Sequence, residues 1–288
     1  MERSGKRLKT GNRKAVTRHI LQRCFLLFAF GVLLHCVYSH ALVWELWNVL
    51  VQLAFTILIA YAIMSLSNRN QLIISLALLA FTELLYRFYD PVTPFNNGAS
   101  FGSFMDRILM GKINGDGWVT INFIPTAAHT IWGVVCGQIL LSNKPHQEKL
   151  KPFLIWGTII LILGFAMDWL NITPIIKRIA TSSFTLASGG FAVLTLTLFY
   201  WAIDVKNNHS KWLKTFSVVG TNSIFIYLFA ETVGVQWFRD FGHIWTNGLL
   251  SPFGFSEEVI WVVNSLFVLF IFWYITYFLD KKKLYFKV

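Results

Sequence analysis

Long apolar runs separated by short polar clusters organise the chain. About 20 apolar residues in a helix cross the hydrocarbon core of a bilayer. Eight runs approach that length: Cys24–Ser39, Val43–Leu66, Leu72–Tyr89, Thr120–Leu141, Pro152–Leu170, Thr181–Ile203, Thr215–Val235 and Val259–Leu279. The runs are continuous rather than alternating, which argues against a barrel of short strands. The pattern predicts an all-α fold, a polytopic transmembrane helical bundle of about eight spans. The first run is short, and is expected to tilt or to continue through a tight turn at His40–Leu42. The connection Asp90–Val119 is rich in Gly, Asn and Pro, so it reads as a loop with turns and a short interfacial helix around Phe104–Met110. It is either a lid over a site or a solvated connector.

Charge then orients the bundle. Only 14% of the 288 residues are charged and 55% are hydrophobic, against about a quarter charged in an ordinary soluble domain. The net charge of +11 invites a nucleic-acid reading, but the basic residues fall in clusters between apolar runs, so no nucleic-acid partner is expected and the lipid bilayer is. With the N-terminus inside, 19 Lys and Arg fall on the inner side and six on the outer, which predicts two cytoplasmic termini. The organisation read from this is a basic cytoplasmic segment 1–23, a transmembrane domain 24–280 with outer loop 90–119, and a basic tail 281–288. The 23-residue basic start is too long for a signal peptide and lacks a small-residue cleavage site. Cys24, Cys36 and Cys136 lie within or beside apolar runs, so neither a disulfide framework nor a metal site is expected.

Ionisable groups inside apolar runs are costly and mark functional candidates, although many only bridge helices. Glu83 and Arg87 stand four apart with the acid first, the favourable order for a structural ion pair. Asp168 and Glu231 fall in the outer thirds of their runs, on the side of Lys177; if these helices are neighbours, a pocket of mixed charge forms. His129 follows Pro125 by four residues, and the proline is expected to free a carbonyl and bend the helix. The imidazole then acts as a general base or as a hydrogen bond to a neighbouring helix, as does His35. The small residues Ala187–Ala192 suit close helix packing. The residues alone leave an enzyme, a transporter and a structural subunit open.

Several segments in order resemble the heparan-α-glucosaminide N-acetyltransferase family and its bacterial relatives. "DGWVTINFIPTAAHTIWGVVCGQILL" is similar to the family helix that opens on an acidic–glycine turn. "PIIKRIATSSFTL" is similar to its Pro-x-Asn-Lys-x-Leu-Trp-Ser/Thr-x-Ser element. "AIDVK" with "VGTNSIFIYLFAE" resembles its penultimate helix, with Gly220, Asn222, Tyr227 and Glu231 at matching positions. "YFLDKKKLYFKV" fits its basic–aromatic tail.

The resemblance implies transfer of an acetyl group from cytoplasmic acetyl-CoA to an amino sugar or envelope glycan on the far side of a bacterial inner membrane. It implies that cytoplasmic lysines receive the CoA phosphates, and the matched positions point to Lys177, Ser183, Asn222 and Glu231 for the acceptor, with Asp116 and Asn122 as further candidates. His129, which stands where the family has an apolar or small residue, and Asp168 are secondary candidates on their place in the apolar runs alone. The family's active-site histidine lies in an outer loop before the segment at which this sequence starts, so the chain is expected to be incomplete for catalysis. Ile176 and Ala180 replace the usual Asn and Trp, which bears on substrate identity. A sugar transporter and a non-catalytic subunit of an envelope complex remain the alternatives, and homo-oligomerisation is left open.

Overall fold

The structure, a computed structural model, describes residues 13–208 and 210–286. The first twelve residues of the basic segment and the last two of the tail lie outside them. Among the described residues there is no strand; the helices are α1 (Arg13–Tyr38), α2 (Val49–Ile63), α3 (Asn68–Tyr89), α4 (Phe101–Met110), α5 (Phe123–Leu140), α6 (His146–Trp169), α7 (Ser182–Tyr200), α8 (Lys211–Thr221), α9 (Ser223–Phe229), α10 (Arg239–Leu250) and α11 (Glu257–Lys281). Among the described residues six helices (α1, α3, α5, α6, α7 and α11) are long and apolar enough to cross a membrane, or seven if the bent pair Leu213–Thr221 and Ser223–Gly234 is one span. The chain is therefore of the multi-pass membrane type.

Four expectations change. The first run is not short: α1 has 26 residues and begins at Arg13, because Val16, Ile20, Cys24 and Leu27 form one buried stripe at helical spacing. The second starts late. Asn48 caps α2 by accepting a 2.7 Å bond from the Leu50 amide, and the helix is 15 residues long, about 22 Å at 1.5 Å per residue. At the far end the Gln71 amide donates to the Leu66 carbonyl at 2.9 Å, closing the turn into α3. Pro125 does not bend α5, since it is the third residue of that helix, in the first turn, where amides have no helical partner anyway. Finally, the run expected over Thr215–Val235 is broken at Asn222, with a 74° bend between the two halves. The connection that follows contains α10, an extra helix whose Gly and polar residues conceal it from an apolarity count.

The backbone contacts divide the chain into two units. The first holds the described residues up to His35 together with Val43–Asn208. Within it α6 packs along α7, α5 lies against α2, α3 and α7, and α1 meets α2 where Gly31 faces Val51 and Thr17 bonds Tyr61 at 2.6 Å. The closeness of α6 and α7 depends on absent side chains: a Cβ on Gly190 would sit 2.5 Å from the Leu161 amide nitrogen, and one on Gly164 would strike the backbone of Ala187. The second unit holds Cys36–Leu42 and the described residues from 210 on. There α11 packs on α8 and α10, and Asn264 donates to the Arg239 carbonyl at 2.9 Å.

Candidate functional site

Three helices of the first unit, α2, α5 and α7, begin at one end of the unit and are tied there by amide side chains. Asn122, buried just ahead of α5, accepts from Gln52 of α2 at 3.1 Å and donates to the Arg178 carbonyl at 3.2 Å. Gln52 also donates to Thr126 at 2.9 Å. The loop ahead of α7 is shaped by hydroxyls. Thr181 and Ser183 each donate to the Pro174 carbonyl at 2.7 Å, and Thr181 accepts from the Ile176 amide at 3.0 Å. This wrapping presents Lys177, whose ammonium stands 5.7 Å from the centre of the Trp118 ring. Trp118 is set in turn by the Asn114 carboxamide, which accepts from the Asp116 amide at 2.9 Å and the Trp118 amide at 3.4 Å.

Between these helices lies a cavity of about 460 Å³, with Lys177, Trp118, Gln52, Thr126 and His129 among its walls nearest the helix starts. Further along α5 and α7 the walls are apolar: Trp132, Gly133, Cys136, Ala192, Val193 and Leu196. The His129 ring donates Nε2–H to the Thr185 carbonyl at 2.8 Å, with the Ser188 hydroxyl 3.1 Å from the same nitrogen. A carbonyl only accepts, so Nε2 carries the hydrogen and the neutral ring keeps its lone pair on Nδ1. None of the described lining residues is acidic.

The remaining candidates have other partners. Ser183 is fully buried and spends its hydroxyl on Pro174. Asp168 accepts from the Ile175 amide at 2.8 Å, closing the turn after α6, and Asp116 is exposed on its own turn. Neither belongs to the cavity wall, so Asp168 does not make a mixed-charge pocket with Lys177. Asn222 and Glu231 belong to the second unit. Asn222 donates to the Leu284 carbonyl at 3.2 Å and accepts from the Phe286 amide at 3.0 Å, holding the end of the chain, while Glu231 accepts from the Tyr38 hydroxyl at 2.6 Å. Arg178 contributes through its carbonyl, not its guanidinium.

Two further polar clusters belong to the first unit. Glu83 and Arg87 form the expected pair at 2.7 Å, and Glu83 also accepts from Thr173 at 2.7 Å and Ser182 at 2.9 Å, pinning α3 to the loop before α7. Arg87 bonds the Ile172 carbonyl as well. Near α4, Asp106 is fully buried and accepts from Trp47 at 2.8 Å and the Thr120 amide at 2.9 Å. Burial pushes its carboxyl above the usual range despite those bonds. Glu45 accepts from Lys112 at 2.6 Å and pairs with His35 at 2.9 Å. Burial alone would raise that carboxyl, but the hydrogen bonds from Lys112 and His35 outweigh it and hold it below the usual range.

Of the lysines expected to meet CoA phosphates, Lys149 is buried and donates to the last turn of α5 at Leu140, and Lys206 lies over the Trp201 ring. These two do not form a phosphate cradle. Among the described residues no three His, Cys, Asp or Glu side chains gather as metal ligands. No family model matches the chain, and no curated protein matches it.

Proposed function

We propose that this chain is an acyl-transfer protein of a bacterial cytoplasmic membrane, with both termini in the cytoplasm. On this reading it serves the transfer of acetyl from cytoplasmic acetyl-CoA to the amine of an amino sugar or envelope glycan on the far side. The observation that carries the reading is the cavity that brings His129 and Lys177 to one space without any acid.

An amine attacks a thioester carbon only as the neutral base. A nearby cation disfavours the ammonium form, so Lys177 biases an acceptor amine toward its nucleophilic state. As the nitrogen forms its bond to the acetyl carbon and the carbon–sulfur bond of the donor breaks, the amine must shed a proton. The Nδ1 lone pair of His129 is the group available to receive it. Trp118 offers an aromatic face of the kind on which the apolar side of a sugar ring stacks.

Membranes carrying the chain, supplied with labelled acetyl-CoA and glucosamine, test this. Acetylglucosamine formation that falls at least a hundredfold in His129→Leu supports the reading. Neither acetyl transfer nor a glucosamine-dependent rise in the melting temperature of the purified chain would remove it. A second reading, a sugar permease, has the broken span at Asn222 in its favour, because interrupted helices line the substrate sites of many transporters. Asn222, however, is committed to the chain's own C-terminal segment. Uptake into proteoliposomes without acyl transfer would favour that reading.

A further inference from the structure

The cavity is polar at one end only. Along α5 its wall residues pass from Thr126 and His129 to Trp132, Gly133 and Cys136, and along α7 from Ser188 to Ala192 and Leu196. From Thr126 to Cys136 is a depth of about 15 Å at the helical rise of 1.5 Å per residue. A free sugar filling the whole space would bury hydroxyls against the apolar half with no partner, which is unfavourable for each one. An apolar chain would fit that half without penalty.

Gly133 sharpens the point. A Cβ placed there meets nothing within 4 Å, unlike one on Gly189, which would strike the Trp132 ring. Close packing therefore accounts for Gly189 and not for Gly133, an exposed residue of the cavity lining with open space beside it. At the other end the ammonium of Lys177 has a ring partner, and among the described residues no carboxylate lies within 4.0 Å of it. An unpaired cation above an apolar slot, with no acid in the lining, is complementary to an anionic head on a single chain.

We propose that this cavity binds a single-chain anionic amphiphile, its phosphate or carboxylate at Lys177 and Trp118 and its chain beside Gly133, Cys136, Ala192 and Leu196. Joined to the acyl-transfer reading, on which this step alone rests, the natural acceptor is a lipid-linked amino-sugar phosphate, of which glucosamine is the truncated form that still occupies the polar end.

The test is equilibrium binding of radiolabelled dodecyl phosphate to the full chain in amphipol, a readout that needs no catalysis. Saturable binding is expected, competed by dodecanoate but not by dodecyltrimethylammonium, and weakened at least tenfold by Lys177→Gln but not by Lys177→Arg. Gly133→Leu fills the slot and should abolish binding with the melting temperature kept; Ala192→Leu is the second variant should that one fail to fold. Binding indifferent to both filling variants would mean an annular lipid and would overturn the proposal. Equal competition by dodecyltrimethylammonium would overturn the anionic head, and full competition by glucosamine 6-phosphate would overturn the chain-binding half. Loss of acetyl transfer with intact dodecyl phosphate binding would remove only the acyl-transfer reading.

Discussion

Arg87 of α3, which bonds the connection between α6 and α7, and Lys177 within that connection are two cations treated in opposite ways. Arg87 is closed in: Glu83, Thr173 and the Ile172 carbonyl take its donors, and Ser182 completes the shell of Glu83. Lys177 is presented by a loop built to hold it, yet its ammonium meets only the Trp118 ring among the partners described. The first arrangement satisfies its polar groups internally, and a satisfied group inside an apolar bundle is a structural tie. The second leaves a cation with no carboxylate partner among the described residues in the wall of a cavity that His129 also lines, where a ligand has something to gain.

The largest effect should come from opening the closed cluster. Glu83→Ala strands Arg87, Thr173 and Ser182, and should cost about 2–3 kcal/mol, less than a fully buried pair because the Arg87 side chain is 40% exposed. Chemical unfolding of the purified chain would measure it; a loss under a few tenths would contradict the structural role. Next, Asp106→Asn turns one of two accepting oxygens into a donor facing Trp47 or the Thr120 amide, for an expected loss of about 1–2 kcal/mol by the same measurement. The folded Asp106 carboxyl titrates above its unfolded value, so the stability gained from holding its proton is complete below the unfolded value and lost as pH rises through the folded one, and the hydrogen-bond loss in Asp106→Asn is read above that range.

At the open cluster, Lys177→Ala should lower acceptor-dependent acetylation at least tenfold with stability unchanged. Arg178→Ala should change neither acetylation nor stability, since alanine keeps the Arg178 carbonyl that is used; equal mild effects would erase the distinction. The smallest effect is at Glu45. Its folded carboxyl lies below the unfolded value, so the stability it adds is present above a pH of about 4.3 and is lost as pH falls through the lower folded value. Glu45→Gln should flatten the melting temperature against pH in that acid range, by less than about 1 kcal/mol.

Much of the bundle was legible because apolar length and helical boundaries coincide: the expected start at Thr181 lies one residue before α7, and that at Thr120 opens a single 3-10 turn, Thr120–Asn122, that leads into α5. The start of α1 was hidden by its basic residues, although Val16, Ile20 and Cys24 already carry the helical stripe. The break at Asn222 was written in Gly220-Thr-Asn-Ser, a weak helical stretch that an apolarity count passes over. Within the cavity, Lys177 stood out through the family-like element and His129 through its burial in an apolar run. Gln52 carried the same signal as His129, a lone polar side chain in oil. Trp118 gave none, since only the turn at Asn114 aims it at the lysine.

The contrast between the closed and open cations is tested most directly by the melting temperature of Arg87→Gln and Lys177→Gln, each with and without dodecyl phosphate. The account predicts a lower melting temperature with the ligand-induced rise retained in Arg87→Gln, and an unchanged melting temperature with that rise lost in Lys177→Gln. A ligand-induced rise that survives in Lys177→Gln, or a melting temperature that falls there as far as in Arg87→Gln, would contradict it.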